Sequence, residues 1–361
     1  MSSEEPGIIP EEDLEETTTP PTQPGAKAKL DSYKYICSKL GLIMCVYFAC
    51  RIICGFILSL VSEMSVEIGQ TATYVVTMAI TVTLVYIVPL FVTAIVFGSF
   101  SFYGGGSGKF KELYKRPRRL ARAFGTFPAI YGFGYGVALL TLLVSFLISR
   151  VTGGQTFIED LFRPTMMEPS TSMAGAMILV FLMVIVAPIF EELLVRGIMY
   201  DALKPYGCGM AIIISSILFG LMHGSLYMLF YTTAIGFALG YVRYATNSLF
   251  VVTIIHAIIN AVAAGLLFVS SMSDITRGAI RMINTMFSLY TLAMLVLIVV
   301  GLIAFVLKIP IIRKYKIENE WSEISPGKKT ALFFASVPVI VMMVFAFNEL
   351  THNWLLSLIG I

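Results

Sequence analysis

Charge is what this chain has least of. Only 13% of its 361 residues are Asp, Glu, Lys or Arg, while 57% are hydrophobic, and a soluble globular chain carries about 25% charged residues. That shortage excludes an ordinary water-soluble domain, and a net charge of +3 is too small to point to a nucleic-acid partner. Five cysteines, Cys37, Cys45, Cys50, Cys54 and Cys208, form no CxxC pair and have no neighbouring His, so neither a zinc knuckle nor a disulfide framework is indicated. The first residues are acidic and lack an apolar core followed by a small-residue cleavage site, so no signal peptide is expected. A phosphate loop is excluded as well. Around Gly104–Lys109, Tyr103 and Phe110 stand where a Walker motif needs Gly and Ser or Thr. No internal repeat is visible.

Residues 1–33 form an acidic segment rich in Pro and Thr and almost free of aromatics up to its last few positions. Such a segment cannot bury enough apolar surface to offset its ordering entropy, and it reads as a disordered tail. Residues 34–361 read as one helical membrane domain. Apolar stretches fall at roughly 40–62, 71–100, 125–149, 174–204, 208–224, 227–243, 249–270, 285–307 and 331–348. Most approach the ~20 residues a helix needs to cross ~30 Å of hydrocarbon. The expected fold is therefore all-α, a polytopic bundle of about eight to nine transmembrane helices with a buried polar cavity. Lys109, Lys111, Lys115, Arg116, Arg118, Arg119 and Arg122 cluster in one loop; Lys308, Arg313, Lys314, Lys316, Lys328 and Lys329 cluster in another. The positive-inside rule puts both loops and the N-terminus on the cytoplasmic side. Gly132-x-x-x-Gly136 and Gly236-x-x-x-Gly240 read as sites of close helix approach.

Three short motifs then break the apolar pattern. They are Glu191-Glu192-Leu193-Leu194-Val195-Arg196, Phe219-Gly220-Leu221-Met222-His223 and His256-Ala257-Ile258-Ile259-Asn260. Ionisable residues at bilayer depth cost roughly 2.5–3.5 kcal/mol each on insertion scales, so a chain rarely carries them without use. Glu192 and Arg196, four apart, share a helix face and can pair, while Glu191 points about 100° away, free to face another helix. Asp201 and Lys204 just downstream suggest that the water edge is near. His256 and Asn260 also share a face, as a catalytic donor pair or as a hydrogen-bonding patch between helices. With cytoplasmic helix ends near 204, 208 and 249, Glu191, His223, His256 and Asn260 fall roughly 10–22 Å from that face and can meet in one layer. Hydrolysing an amide requires an activated water, donors for the oxyanion and a proton for the leaving amine. Glu191 and His223 are candidates to hold and deprotonate the water, and His256 and Asn260 to donate to the oxyanion. Glu192 with Arg196 would fix the helix.

This pattern of EExxxR, FxxxH and HxxxN resembles the CAAX-protease and bacteriocin-processing (CPBP, or abortive-infection) family of intramembrane endopeptidases. The resemblance covers roughly 174–270. It implies an endopeptidase with Glu191, His223, His256 and Asn260 as functional positions and Phe219 as part of the second motif. It implies a peptide or membrane-protein substrate, cleaved by CAAX-type or leader-type processing, in an integral multi-pass protein, expected here in a bacterial plasma membrane. The family is often labelled metal-dependent. Glu191, His223 and His256 could make a His2Glu zinc set, but no HExxH occurs and no carboxylate is evident behind either His. The favoured reading has no cofactor, with zinc left open. A non-catalytic immunity or scaffold protein using the same cavity, and a proton-relaying transporter, are the competing classes.

Overall fold

A computed structural model describes residues 26–63, 70–97, 124–152, 173–275, 280–314 and 323–351. The tail to residue 25, the first basic loop with the Gly104–Lys109 connector, and residues 315–322 of the second basic loop lie outside the described residues. The described chain is helical, with no strand among the described residues. The reason is the solvent. In hydrocarbon every backbone N–H and C=O must find a partner inside the protein, and a helix provides that within one segment.

In chain order the helices are α1 (Ala26–Glu63), α2 (Gln70–Thr81), α3 (Val88–Phe97), α4 (Phe127–Thr152), α5 (Met173–Phe181), α6 (Ala187–Glu192), α7 (Tyr200–Leu203), α8 (Cys208–Leu221), α9 (Leu226–Thr246), α10 (Leu249–Ile275), α11 (Ile280–Lys314), α12 (Pro326–Phe334) and α13 (Val337–Leu350). α1 begins at Ala26, inside the stretch assigned to the tail, and Tyr33 on it is fully buried. Wider π turns join α2 to α3 (Val82–Ile87), α5 to α6 (Leu182–Val186) and α6 to α7 (Leu193–Met199).

Each of the nine apolar stretches carries a helix. By length and composition, five described runs can cross a membrane, or six if α12 and α13, bent by 72°, count as one span. The shortfall from eight or nine has a plain cause. The 14 residues of α8 cover about 21 Å at 1.5 Å per residue, short of ~30 Å of hydrocarbon. α9, the sixth stretch, is not among the described spans and carries Arg243, and α10 is counted only over Leu249–Gly265, short of a span.

Two apolar clusters form the interior. One gathers α1, the 193–206 run, α8, α12 and α13 around Phe48, Tyr200 and Met210; the other gathers α4, α9, α10 and α11 around Tyr131, Leu239 and Ile255. At one end of the first cluster, Tyr206 ties three stretches together. Its hydroxyl lies 2.7 Å from Ser32 Oγ, and its carbonyl accepts from Lys329 Nζ at 2.6 Å. Lys329 is therefore fully buried and caps a helix end; it is not a loop charge. Ser32 near the start of α1 and Lys329 on α12 thus lie together at the Tyr206 end of the first cluster.

α4 and α11 cross where Gly132 faces Gly301, and a Cβ on either would run into the other's backbone. Gly301→Leu should therefore lower stability by about 1–3 kcal/mol, the usual cost of overpacking. Gly55→Leu, where nothing lies within 4 Å, should leave it unchanged. Thermal unfolding of the detergent-extracted protein checks both.

Candidate active site

Glu192 closes the α6 turn and is fully buried. One of its oxygens, Oε1, accepts from Arg196 Nη1 at 2.8 Å and from His256 Nδ1 at 2.8 Å. The i,i+4 pair expected from spacing is present. Arg196, also fully buried, donates from Nη2 to the Gly236 carbonyl at 2.9 Å, and its guanidinium lies 4.5 Å over the Phe219 ring. Gly236 thus serves as an acceptor as well as a packing position. One carboxylate therefore joins α6, the following π turn and α10, and its arginine extends the network to α8 and α9.

Glu191 points elsewhere, as the 100° offset requires. Its Oε1 accepts from the Tyr86 hydroxyl at 3.4 Å, its Oε2 lies 3.8 Å from His256 Nε2, and its side chain keeps 14% exposure. Tyr86 belongs to the π turn after α2 and packs on Phe190.

The hydrogen-bond partners assign both imidazole tautomers. His223 Nδ1 lies 2.8 Å from the Phe219 carbonyl, and His256 Nδ1 lies against the Glu192 carboxylate. Neither oxygen can donate, so each Nδ1 carries the proton and each Nε2 faces outward with its lone pair when the ring is neutral. Both rings stand edge-on to Phe219, with centroids 4.9 and 5.6 Å from it. The second motif's Phe therefore packs between the two histidines while its carbonyl orients one of them.

Asn260 lies one turn along α10 from His256, and its Nδ2 donates to the Met183 carbonyl at 2.9 Å. Met183 is in the π turn between α5 and α6. The structure thus brings Glu191, Glu192, Arg196, Phe219, His223 and His256 together, and spends one Asn260 N–H on a helix–helix bond.

Two expectations need correction. Asp201 does not mark a water edge: it is buried and takes Arg243 Nη2 at 2.8 Å on Oδ2. A carboxylate does stand behind one histidine, since Glu192 backs His256; single-helix spacing could not reveal a partner 64 positions away. The backing carboxylate and carbonyl are what a metal-binding His commonly has. Among the described residues as placed, no group of three or more His, Cys, Asp or Glu is gathered closely enough to hold a metal.

Sequence reading also passed over Arg51, Tyr47 and Glu349. Arg51 on α1 approaches Glu349 on α13, Nε to Oε2 at 2.9 Å, and its Nη1 donates to the Met222 carbonyl. Tyr47 donates to that carbonyl at 3.3 Å. The signal was present in both charges, each lying within or at the edge of an apolar stretch. Glu192→Ala should cost about 3–5 kcal/mol, because it leaves a buried guanidinium uncompensated. Glu191→Ala should cost far less; melting midpoints of the extracted variants test the contrast.

Residues 173–262 match the family model described as "Type II CAAX prenyl endopeptidase Rce1-like". No curated protein and no solved structure matches the chain. The matched segment runs from α5 into α10 and holds all three motifs. With several helices long and apolar enough to cross a membrane, the chain carries, over these residues, a segment similar to the Rce1-like CAAX endopeptidases.

Proposed function

We propose that the chain is an intramembrane endopeptidase that hydrolyses a peptide bond of a membrane-associated or peptide substrate, by CAAX-type or leader-type processing, using its side chains without a metal. The observation that carries this reading is the pairing of a partly open Glu191 with His256 Nε2 across 3.8 Å, inside an apolar bundle. Glu191 accepts a proton from water, and the His223 Nε2 lone pair holds the second O–H. The water oxygen attacks the scissile carbonyl. His256 enters the cycle as an imidazolium paired with Glu191 and backed at Nδ1 by Glu192, and the oxyanion takes its Nε2 N–H and the second N–H of Asn260. His256 then gives its proton to the departing amine and recovers one from Glu191. Donors already aimed at developing charge in a water-poor site are worth far more than in water.

In this reading α8, α9 and α10 complete a bundle of eight to nine membrane helices, with the N-terminus and basic loops cytoplasmic. The membrane is a bacterial plasma membrane, and the substrate reaches the site from the lipid or from the cytoplasm.

The test uses full-length protein in proteoliposomes, given a quenched farnesylated CAAX peptide, its unprenylated counterpart and an apolar leader peptide. Glu191→Ala and Glu191→Gln should each lower kcat by roughly 10²–10⁴-fold, the usual worth of a positioned general base, at an unchanged melting midpoint. EDTA should leave cleavage intact; loss restored by added zinc would overturn the metal-free mechanism. Full cleavage by both Glu191 variants would sink the endopeptidase assignment in favour of a binding role for the same cavity.

A further inference from the structure

α8 stops at a break. Met222 ends it, Gly224 turns left-handed at φ +64°, and Ser225 leads into α9. His223 sits inside this break, so its position depends on what holds the turn. A helix end leaves carbonyls without intrahelical partners, and here they lie in an apolar bundle. The Met222 carbonyl is taken from outside the motif segment. Arg51 Nη1 and the Tyr47 hydroxyl, both on α1, donate to it. Arg51 is aimed by Glu349 on α13, with Nε donating to Oε1 at 3.2 Å and lying 2.9 Å from Oε2. The turn is seated closely on this pair. A Cβ on Gly224 would stand 2.6 Å from Arg51 Nη2 and 2.7 Å from Glu349 Oε2.

We infer that the Arg51–Glu349 pair is a strut that positions His223, gripping the carbonyl one residue before it and so bringing α1 and α13, outside the matched core, into the working site. A guanidinium suits the task because it holds a carboxylate and a carbonyl at once through separate nitrogens, and its charge favours a helix C-terminus. Arg51 and Glu349 are positioning residues. They act through the Met222 backbone and touch no reacting atom. The inference rests on His223 belonging to the working site, as proposed above.

The double variant Arg51→Met/Glu349→Met replaces the pair with apolar chains of similar length, a change that buried ion pairs often tolerate, while leaving the Met222 carbonyl without its guanidinium. Two readouts are taken. The first is the rate at which diethylpyrocarbonate modifies His223, followed by mass spectrometry and compared with the wild-type rate under the same conditions. The second is kcat and KM on whichever peptide the wild type cleaves. The expected result is severalfold faster His223 modification at a near-wild-type melting midpoint, with kcat down about 10- to 100-fold, the cost of an ångström-scale misplacement, and KM little changed. Arg51→Lys, which keeps the charge but ends in a single nitrogen, should fall between. An unchanged His223 rate in the double variant, or in Arg51→Lys should the double variant not accumulate, overturns the strut. A wild type that cleaves nothing while His223 still loosens overturns the endopeptidase reading and leaves the strut standing.

Discussion

The Glu192 carboxylate is the interaction on which the rest of the site depends. It is fully buried, and one of its oxygens serves both Arg196 and His256. Arg196 in turn reaches the Gly236 carbonyl and the Phe219 ring. Helices α6, α8, α9 and α10 therefore meet at one polar node between the two apolar clusters. In an interior without water, a group that loses its partner has no substitute, so such a network fixes register as well as stabilising. Apolar packing alone would let these helices slide. The shared carboxylate does not.

The π turns explain how neighbouring residues reach this node. A wider turn upsets the regular hydrogen-bond pattern, which releases a carbonyl and shifts the side chains beyond it. Tyr86 reaches Glu191 from one of them, Met183 offers its carbonyl to Asn260 from a second, and Arg196 stands in the third. All three π segments among the described residues thus deliver a contact to the site.

Where the helices stop, the same economy of donors recurs. Backbone that leaves the helical pattern at membrane depth must be satisfied by protein. At the Tyr206 end Lys329 caps the carbonyl; at the Met222 end Arg51 and Tyr47 do. Both cations come from helices distant in sequence, so the caps also fasten α12 and α1 to the core. Gly224 matters because its backbone is left-handed and because a Cβ there would push aside the ends of the Arg51 and Glu349 side chains.

The helical class, the apolar segments and the three motifs were legible in the sequence, because they rest on local facts. A run of apolar residues needs a helix in lipid, and residues four apart share a face, which placed Glu192 with Arg196 and turned Glu191 away. The pairing of Gly132 with Gly301 was half legible: the close approach could be read, its partner could not. What only the tertiary structure decided lies between helices. It set Glu192 behind His256, tied Asn260 to Met183, buried Asp201 against Arg243, and brought Tyr86 and Arg51 to the motifs. The physical reason is separation along the chain. A periodicity reports which residues share one helix face, whereas the partner that face meets is chosen by the packing of all the others.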